Sequence, residues 1–309
     1  MKAVTTRRYG GPDVLLWTES PMPRLTPDAV LVRVRASSVN PVDWKVRRGD
    51  VRLFSGLRPP KILGSDFAGD IVDIGADVKD FSVNERVFGM LNAFRGGAYA
   101  EYVTVNASHV AHIPDQLSYL EAACLPLVSL TLYDLLFSHR FKRVLVNGCG
   151  GGLGHIAVQM AIATDAYVTG VCSTRNQALA KALGCDRVLD YTRQELENHQ
   201  EHYDLVIDTA GTLTFRKARR WLQPAGCFVS SIPSAHAMLI APLLNRCRHQ
   251  REAYIWVKPD GKKLARIGQL AEEGKLKAHI GAQFSLQDIR TAHTVSEQGT
   301  TPGKIALLV

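Results

Sequence analysis

The segment that most constrains this chain is Arg143-Val-Leu-Val-Asn-Gly-Cys-Gly-Gly-Gly-Leu-Gly-His-Ile-Ala-Val-Gln-Met-Ala161, an apolar run that breaks into glycines and resumes at helical spacing. Val144 to Val146 suit a buried parallel strand, and Ile156, Ala157, Met160 and Ala161 recur on one helical face. Between them Gly148, Gly151, Gly152 and Gly154 permit a tight turn and close packing of helix on strand. The spacing is G-x-x-G-x-x-G through 148, 151 and 154, not the strict G-x-G-x-x-G, yet the order of strand, glycines and helix is that of a dinucleotide site. Free amides and a positive dipole end at the helix start would hold a diphosphate. The residues expected to line it are Gly150, Gly151, Gly152, Leu153 and Gly154.

The next strand, Tyr167-Val-Thr-Gly-Val-Cys172, decides the type of dinucleotide. Just past such a strand an NAD site places an acid for the ribose 2′-hydroxyl. Here the chain reads Ser173-Thr-Arg-Asn176, with no acid to repel a 2′-phosphate, two hydroxyls, and Arg175 to meet it with a charged fork. NADPH is the expected cofactor. Ser173 and Thr174 can also cap the helix expected from Arg175 to Leu183.

The 309 residues suggest two domains, and 46% hydrophobic with 21% charged residues is ordinary globular usage. No apolar run reaches transmembrane length. The start, Met1-Lys-Ala-Val-Thr-Thr-Arg-Arg8, lacks the apolar stretch of a signal peptide, so a cytoplasmic chain is expected. Six cysteines, at 124, 149, 172, 185, 227 and 247, include no C-x-x-C pair and read as reduced thiols. The net charge of +8 is diffuse; Arg216-Lys-Ala-Arg-Arg220 and Arg246-Cys-Arg-His-Gln-Arg251 lack interleaved aromatics and read as solvated faces, with an anionic partner or a cofactor-entrance field as the alternatives.

Up to about residue 120 the pattern is rich in strands and turns, with alternation at Ala29–Ala36, Asp70–Gly75 and Glu101–Val105, and it suggests a small barrel. Beyond a helical stretch from Tyr119 to Phe137, strands are expected at 143–147, 167–172, 187–190, 204–209, 226–231 and 253–257. Helices are expected at 152–164, 175–183, 213–222 and 259–273. Such alternation means a parallel sheet covered on both faces. The tail, Gly303-Lys-Ile-Ala-Leu-Leu-Val309, returns to a strand that should rejoin the first domain.

A zinc dehydrogenase needs three protein ligands, typically Cys and His, with a fourth position open. The first 120 residues contain no cysteine, and their only histidines are His109 and His112, expected to face solvent or pack locally. Alcohol oxidation through a zinc alkoxide is therefore not expected.

Several runs together carry a resemblance: Tyr9-Gly-Gly-Pro12, Ser38-Val-Asn-Pro-Val-Asp-Trp-Lys45, Gly64-Ser-Asp-Phe-Ala-Gly69, Gly97-Ala-Tyr-Ala-Glu-Tyr102, the glycine turn, and Lys181-Ala-Leu-Gly-Cys-Asp-Arg-Val-Leu-Asp-Tyr191. In this order the chain resembles the zinc-independent, zeta-crystallin-like quinone oxidoreductases of the medium-chain dehydrogenase/reductase superfamily, and most closely their quinone-oxidoreductase homologues and alkenal/enone reductases. The resemblance implies an α/β chain with a GroES-like β-barrel domain over 1–122 and 278–309, a Rossmann domain over 123–277, NADPH, and commonly a homodimer. Where zinc-dependent relatives carry a cysteine this chain has Asn40, and where they carry the histidine of Gly-His-Glu it has Ser65.

The implied chemistry is hydride transfer from NADPH to a quinone or an α,β-unsaturated carbonyl, with no membrane or nucleic-acid partner. Asn40 is the first candidate to orient substrate or nicotinamide ribose, or else a turn-former before Pro41. Lys45 stands where some relatives carry a tyrosine; it can donate to an oxyanion or reach for solvent. The resemblance puts Thr131 and Ser231-Ile-Pro-Ser234 at the nicotinamide, hence Ser231 and Ile232, and Tyr191 at the adenosine ribose or its phosphate. Asp208 reads as a turn residue. The alternative function is an NADPH-binding regulatory protein with little turnover.

Overall fold

A computed structural model describes residues 1–59, 61–232, 238 and 240–309. It divides into two compact units, Met1–Leu130 with Lys258–Val309, and Thr131–Val257.

In the first unit β1 (Lys2–Thr5) and β2 (Leu16–Glu19) form a hairpin-like pair. The main sheet contains β3 (Ala29–Val39), β4 (Asp66–Ile74), β5 (Arg86–Met90), β6 (Tyr102–Asn106) and β7 (Val110–His112). It is completed from the tail by two strands numbered after those of the second unit, β14 (Ile280–Ser285) and β15 (Lys304–Leu308). The order is β14-β15-β3-β4-β5-β7, with β6 also on β3. Alternating apolar residues give this sheet its inner face: Val30, Val32, Val34, Phe67, Ile71 and Val87 pack as one cluster. The tail rejoins the first unit as read from the sequence, because β15 pairs antiparallel with β3.

The second unit carries β8 (Arg143–Asn147), β9 (Tyr167–Cys172), β10 (Arg187–Asp190), β11 (Tyr203–Asp208), β12 (Leu222–Ser230) and β13 (Arg251–Tyr254). They pair in parallel in the order β10-β9-β8-β11-β12-β13. The chain leaves β8 toward β9 on one side and returns to β11 on the other, so the carboxyl end of β8 is a topological switch point.

Three expectations are corrected. Helix 259–273, assigned to the second domain, is found as Gly261–Glu272 in the first unit. It sits on β7 so closely that a Cβ at Gly261 would lie 2.3 Å from the Val110 carbonyl oxygen, and Gly268 faces Pro114. The stretch 123–130, also assigned to the second domain, joins the first unit, where the Leu127 amide donates to Asp66 (2.9 Å). The expected helix 213–222 is shorter, Phe215–Ala218, continuing as a single 3₁₀ turn over Arg219–Trp221.

Candidate cofactor site and polar cluster

At the carboxyl end of β8 the chain turns on Gly148, whose φ of +82° favours glycine. The Gly148 and Cys149 amides both donate to the Val171 carbonyl (2.9 and 3.1 Å), which ties the turn to β9. A Cβ at Gly154 would lie 2.0 Å from the Gly148 oxygen, so only glycine lets the helix Gly154–Ile162 begin there. A Cβ at Gly151 would meet only the Gly148 oxygen, at 3.4 Å. The turn thus leaves room over Gly151 for a diphosphate, and His155 braces it from within, Nδ1 donating to the Gly151 carbonyl (3.0 Å). Leu153 is the last residue before the helix.

Beyond β9 the sequence reading needs revision. No acid lies in 173–176, but parallel pairing sets Asp190 opposite Cys172 and so brings a carboxylate from β10 to the same place. Asp190 accepts from Thr174 Oγ1, from Gln177 Nε2 (2.8 Å), and from the amide (2.9 Å) and hydroxyl (2.6 Å) of Thr192. Burial pushes the carboxyl up, but the bonds from Thr174 and Thr192 and the Arg193 charge outweigh this and hold it at about 2. The ionised carboxylate claims the Thr174 proton, so this hydroxyl is not a free donor for phosphate. Thr174 opens a 3₁₀ turn, and Ser173 before it makes no side-chain capping bond. Arg175 is exposed and, among the described residues, has no ion pair or side-chain hydrogen bond.

Tyr191, 56% exposed, lies at the rim of a cavity of about 490 Å³ with Arg193, Leu213, Lys217, Arg220 and Trp221. Trp221 is buried, and its indole Nε1 finds no partner among the described residues. Lys217 and Arg220 come from the run that read as a solvated face. Only tertiary folding brings them to Tyr191, and no local signal separates them from other surface cations.

On the other side of the switch point, Asp208 is buried and accepts from Asn147 Nδ2 (2.8 Å) and from the amides of Gly211 and Leu213 (both 3.0 Å), a turn role as read. The Ser231 amide donates to the Asp208 carbonyl (2.9 Å) and its hydroxyl to the Thr209 carbonyl (3.3 Å). Ile232 is 45% exposed and leans over Gly211. Pro233 and Ser234 lie outside the described residues. Thr131 is half-buried on the helix Pro126–Phe137.

In the first unit, three neighbouring strands deliver a polar cluster. Ile305 of β15 pairs with Val39 and Phe67 of β4 pairs with Ser37, so Lys304, Asn40 and Asp66 converge at one end of the sheet. All three side chains are buried. The Lys304 ammonium donates to Asn40 Oδ1 and lies 3.6 Å from Asp66, while Asn40 Nδ2 donates to Asp66 Oδ2 (2.8 Å). Ser38 Oγ adds a third bond (2.9 Å). Asn40, expected to orient substrate or nicotinamide ribose, has no exposed surface, and its oxygen and one amide hydrogen are already held. Its backbone amide donates to Asp43 (2.8 Å), fixing the start of the helix Pro41–Arg48.

Lys45, one turn along this helix, is half-buried with Nζ 5.5 Å from the Trp44 ring centroid, and burial lowers its pKa. It has no ion pair among the described residues. Among the same residues, no group of three or more His, Cys, Asp or Glu side chains is placed to hold a metal ion, and no helix is long and apolar enough to cross a membrane.

A β-sheet unit of this topology, joined in one chain to a six-stranded dinucleotide fold, defines a dehydrogenase-type oxidoreductase. Residues 26–115 match the family described as "Alcohol dehydrogenase GroES-like domain" and residues 183–307 that described as "Zinc-binding dehydrogenase". A relative from Triphysaria versicolor, "Quinone-oxidoreductase QR1, chloroplastic", is 34% identical, covering 99% of this chain and 98% of its own. A Danio rerio relative, "NAD(P)H oxidoreductase RTN4IP1, mitochondrial", is 30% identical over 100% of this chain and 91% of its own. The solved quinone oxidoreductase from Coxiella burnetii superposes with a TM-score of 0.90 at 31% identity, covering 100% of this chain and 99% of that one. The chain belongs to the quinone oxidoreductase family of the medium-chain dehydrogenase/reductase superfamily, whose members are NAD(P)H-binding oxidoreductases.

Proposed function

We propose that the chain is an NADPH-dependent reductase of quinones or α,β-unsaturated carbonyls that works without a metal ion. The reading rests on one observation above the others: Arg175, three residues past β9, is exposed and unpaired among the described residues, with the nearby Asp190 carboxylate saturated by its own donors. A guanidinium so placed favours a 2′-phosphate over a 2′-hydroxyl. Arg193, Lys217 and Arg220 add positive charge around the cavity at Tyr191, and the unpartnered Trp221 indole offers a donor to whatever fills it.

When bound, NADPH supplies a hydride to a conjugated electrophile. The glycine turn would hold its diphosphate on the amides of Gly150, Gly152, Leu153 and Gly154, that of Gly151 being bonded to the Gly148 carbonyl (3.0 Å). Thr131, Ser231 and Ile232 would contact the nicotinamide end, and Tyr191 the adenosine end. Lys45 is the proposed donor to the substrate oxygen, since burial weakens its hold on a proton, with the Asp50 charge opposing, and it forms no ion pair among the described residues. Asn40 becomes a positioning residue that sets the start of the Lys45 helix.

The donor set supports the metal-free reading. Asn40 and Ser65 are poor zinc ligands, and the Lys304 ammonium already brings positive charge to Asp66. The test is NADPH oxidation with a panel of quinones, enones, enals and enoyl thioesters. Turnover with a quinone or enone is expected; tight NADPH binding without turnover on any of them would favour a regulatory role.

A further inference from the structure

Gly170 lies inside β9, where a glycine weakens a strand and marks a close approach. A Cβ there would stand 2.8 Å from the Cys149 sulfur and 2.8 Å from the Cys185 sulfur. The two sulfurs flank the same point, separated by no more than twice that distance. Cys172 follows two residues later, and the sulfurs of Cys172 and Cys185 stand close enough to the Cys149 thiol to push its pKa up, with burial adding. All three are free thiols: Cys149 and Cys172 are buried, while Cys185 is half-buried. Cys149 is also part of the glycine turn, between Gly148 and Gly150.

We propose that Cys149 and Cys185 form a reversible disulfide that distorts the glycine turn and lowers cofactor affinity. The oxidant is a peroxide. The more accessible Cys185 thiol is oxidised first: its sulfur takes one peroxide oxygen as the O–O bond breaks, giving a sulfenic acid and releasing water. The Cys149 sulfur then attacks the sulfenic sulfur; the S–S bond forms, the S–O bond breaks, and hydroxide leaves with the Cys149 proton as a second water. Two electrons pass from the two thiols to the peroxide. A dithiol reductant reverses the change by exchange.

The mechanical link is short. A disulfide requires sulfurs about 2.05 Å apart, so the two sulfurs must close on each other, and any share of the movement taken by Cys149 is carried into the turn. The Cys149 amide and that of Gly148 are bonded to Val171, and a Cβ at Gly150 would lie 2.8 Å from Asn176, so the turn has little slack to absorb the movement. The amides proposed to hold the diphosphate are displaced with it.

The affinity part rests on the proposed cofactor reading, whereas the disulfide does not. The full chain is treated with hydrogen peroxide, alkylated with iodoacetamide, digested without reductant and mapped by mass spectrometry, with NADPH affinity titrated in parallel. The expected result is a peptide linking 149 to 185 and an NADPH dissociation constant raised by about tenfold or more, restored by dithiothreitol. Cys185→Ser should abolish both effects of peroxide, and substitution of the exposed Cys247 by Ser should alter neither. Oxidation confined to Cys247, a 149–172 link in place of 149–185, or a 149–185 link with unchanged affinity would each overturn the proposal. Failure of the reduced chain to bind NADPH would count against the cofactor reading alone, because the peptide map stands without it.

Discussion

The Lys304 ammonium donates to the side-chain oxygen of Asn40 across 264 residues of sequence, and both partners are buried. Asp66, which accepts from Asn40 and lies 3.6 Å from the same ammonium, completes a neutral arrangement of one cation, one anion and one amide. Such a cluster is stable only when whole, since each buried charge depends on the other.

Lys304→Met should therefore destabilise the chain by about 3–5 kcal/mol, because it leaves the Asp66 carboxylate buried without its counter-charge. Urea unfolding measures this. Combining it with Asp66→Asn should recover most of the loss. A single variant as stable as the wild type would show that the pair is not coupled.

Asp43 predicts a pH dependence. It accepts from the Asn40 amide (2.8 Å), Tyr99 Oη (3.0 Å) and Ser65 Oγ (3.1 Å). Burial pushes its pKa from 3.8 up to about 7, with the Asp66 charge adding and the bonds from Asn40 and Tyr99 opposing. The folded chain thus keeps a proton that the unfolded chain releases, so this contribution to stability is full below the unfolded value and is lost as pH rises toward 7. Asp43→Asn cannot ionise. The wild type should lose stability relative to it as pH is raised through this window, read as urea midpoints, and parallel profiles would contradict the assignment.

The glycine turn predicts a contrast between two similar substitutions. Gly154→Ala places a methyl group 2.0 Å from the Gly148 oxygen, which forces backbone apart, whereas Gly151→Ala meets that oxygen at 3.4 Å, an ordinary contact. The first should cost about 1–3 kcal/mol of stability. The second should leave stability nearly unchanged while weakening NADPH binding by crowding the amides. Equal thermal stability of both variants would contradict the packing account.

What the sequence made legible was what depends on local pattern. The β8 strand, the turn and the following helix are where the apolar run and the glycines put them, and β9 and β10 have the expected bounds. What it hid was non-local. Asp190 reaches the carboxyl end of β9 through the register of β10 on β9, so a reading of 173–176 alone finds no acid. Asn40 looked available because Lys304, which holds it, arrives on a strand from the far end of the chain. Lys217 and Arg220 were indistinguishable from solvated cations until the fold set them around a cavity with Tyr191.

Those cations and Arg175 can be ranked. Arg175→Ala should raise the NADPH dissociation constant by about ten- to hundredfold, the loss of a charged hydrogen bond of about 1.5–3 kcal/mol, with NADH hardly affected. Lys217→Ala and Arg220→Ala should act in the same direction and less strongly, as expected of exposed charges screened by solvent. Fluorescence titration with both cofactors gives the comparison, and equal losses for NADPH and NADH would mean that none of these residues reads the phosphate.

The central claim, metal-free hydride transfer from NADPH to a conjugated acceptor, is tested most directly by following the hydrogen itself. The chain, exhaustively chelated, is given an enone and NADPH carrying deuterium at the transferring C4 position, and the product is examined by mass spectrometry and NMR. The account predicts one deuterium at the β-carbon of the saturated ketone per NADPH consumed, at the same rate as before chelation. A product without deuterium, or activity lost on chelation and restored by zinc, would contradict it.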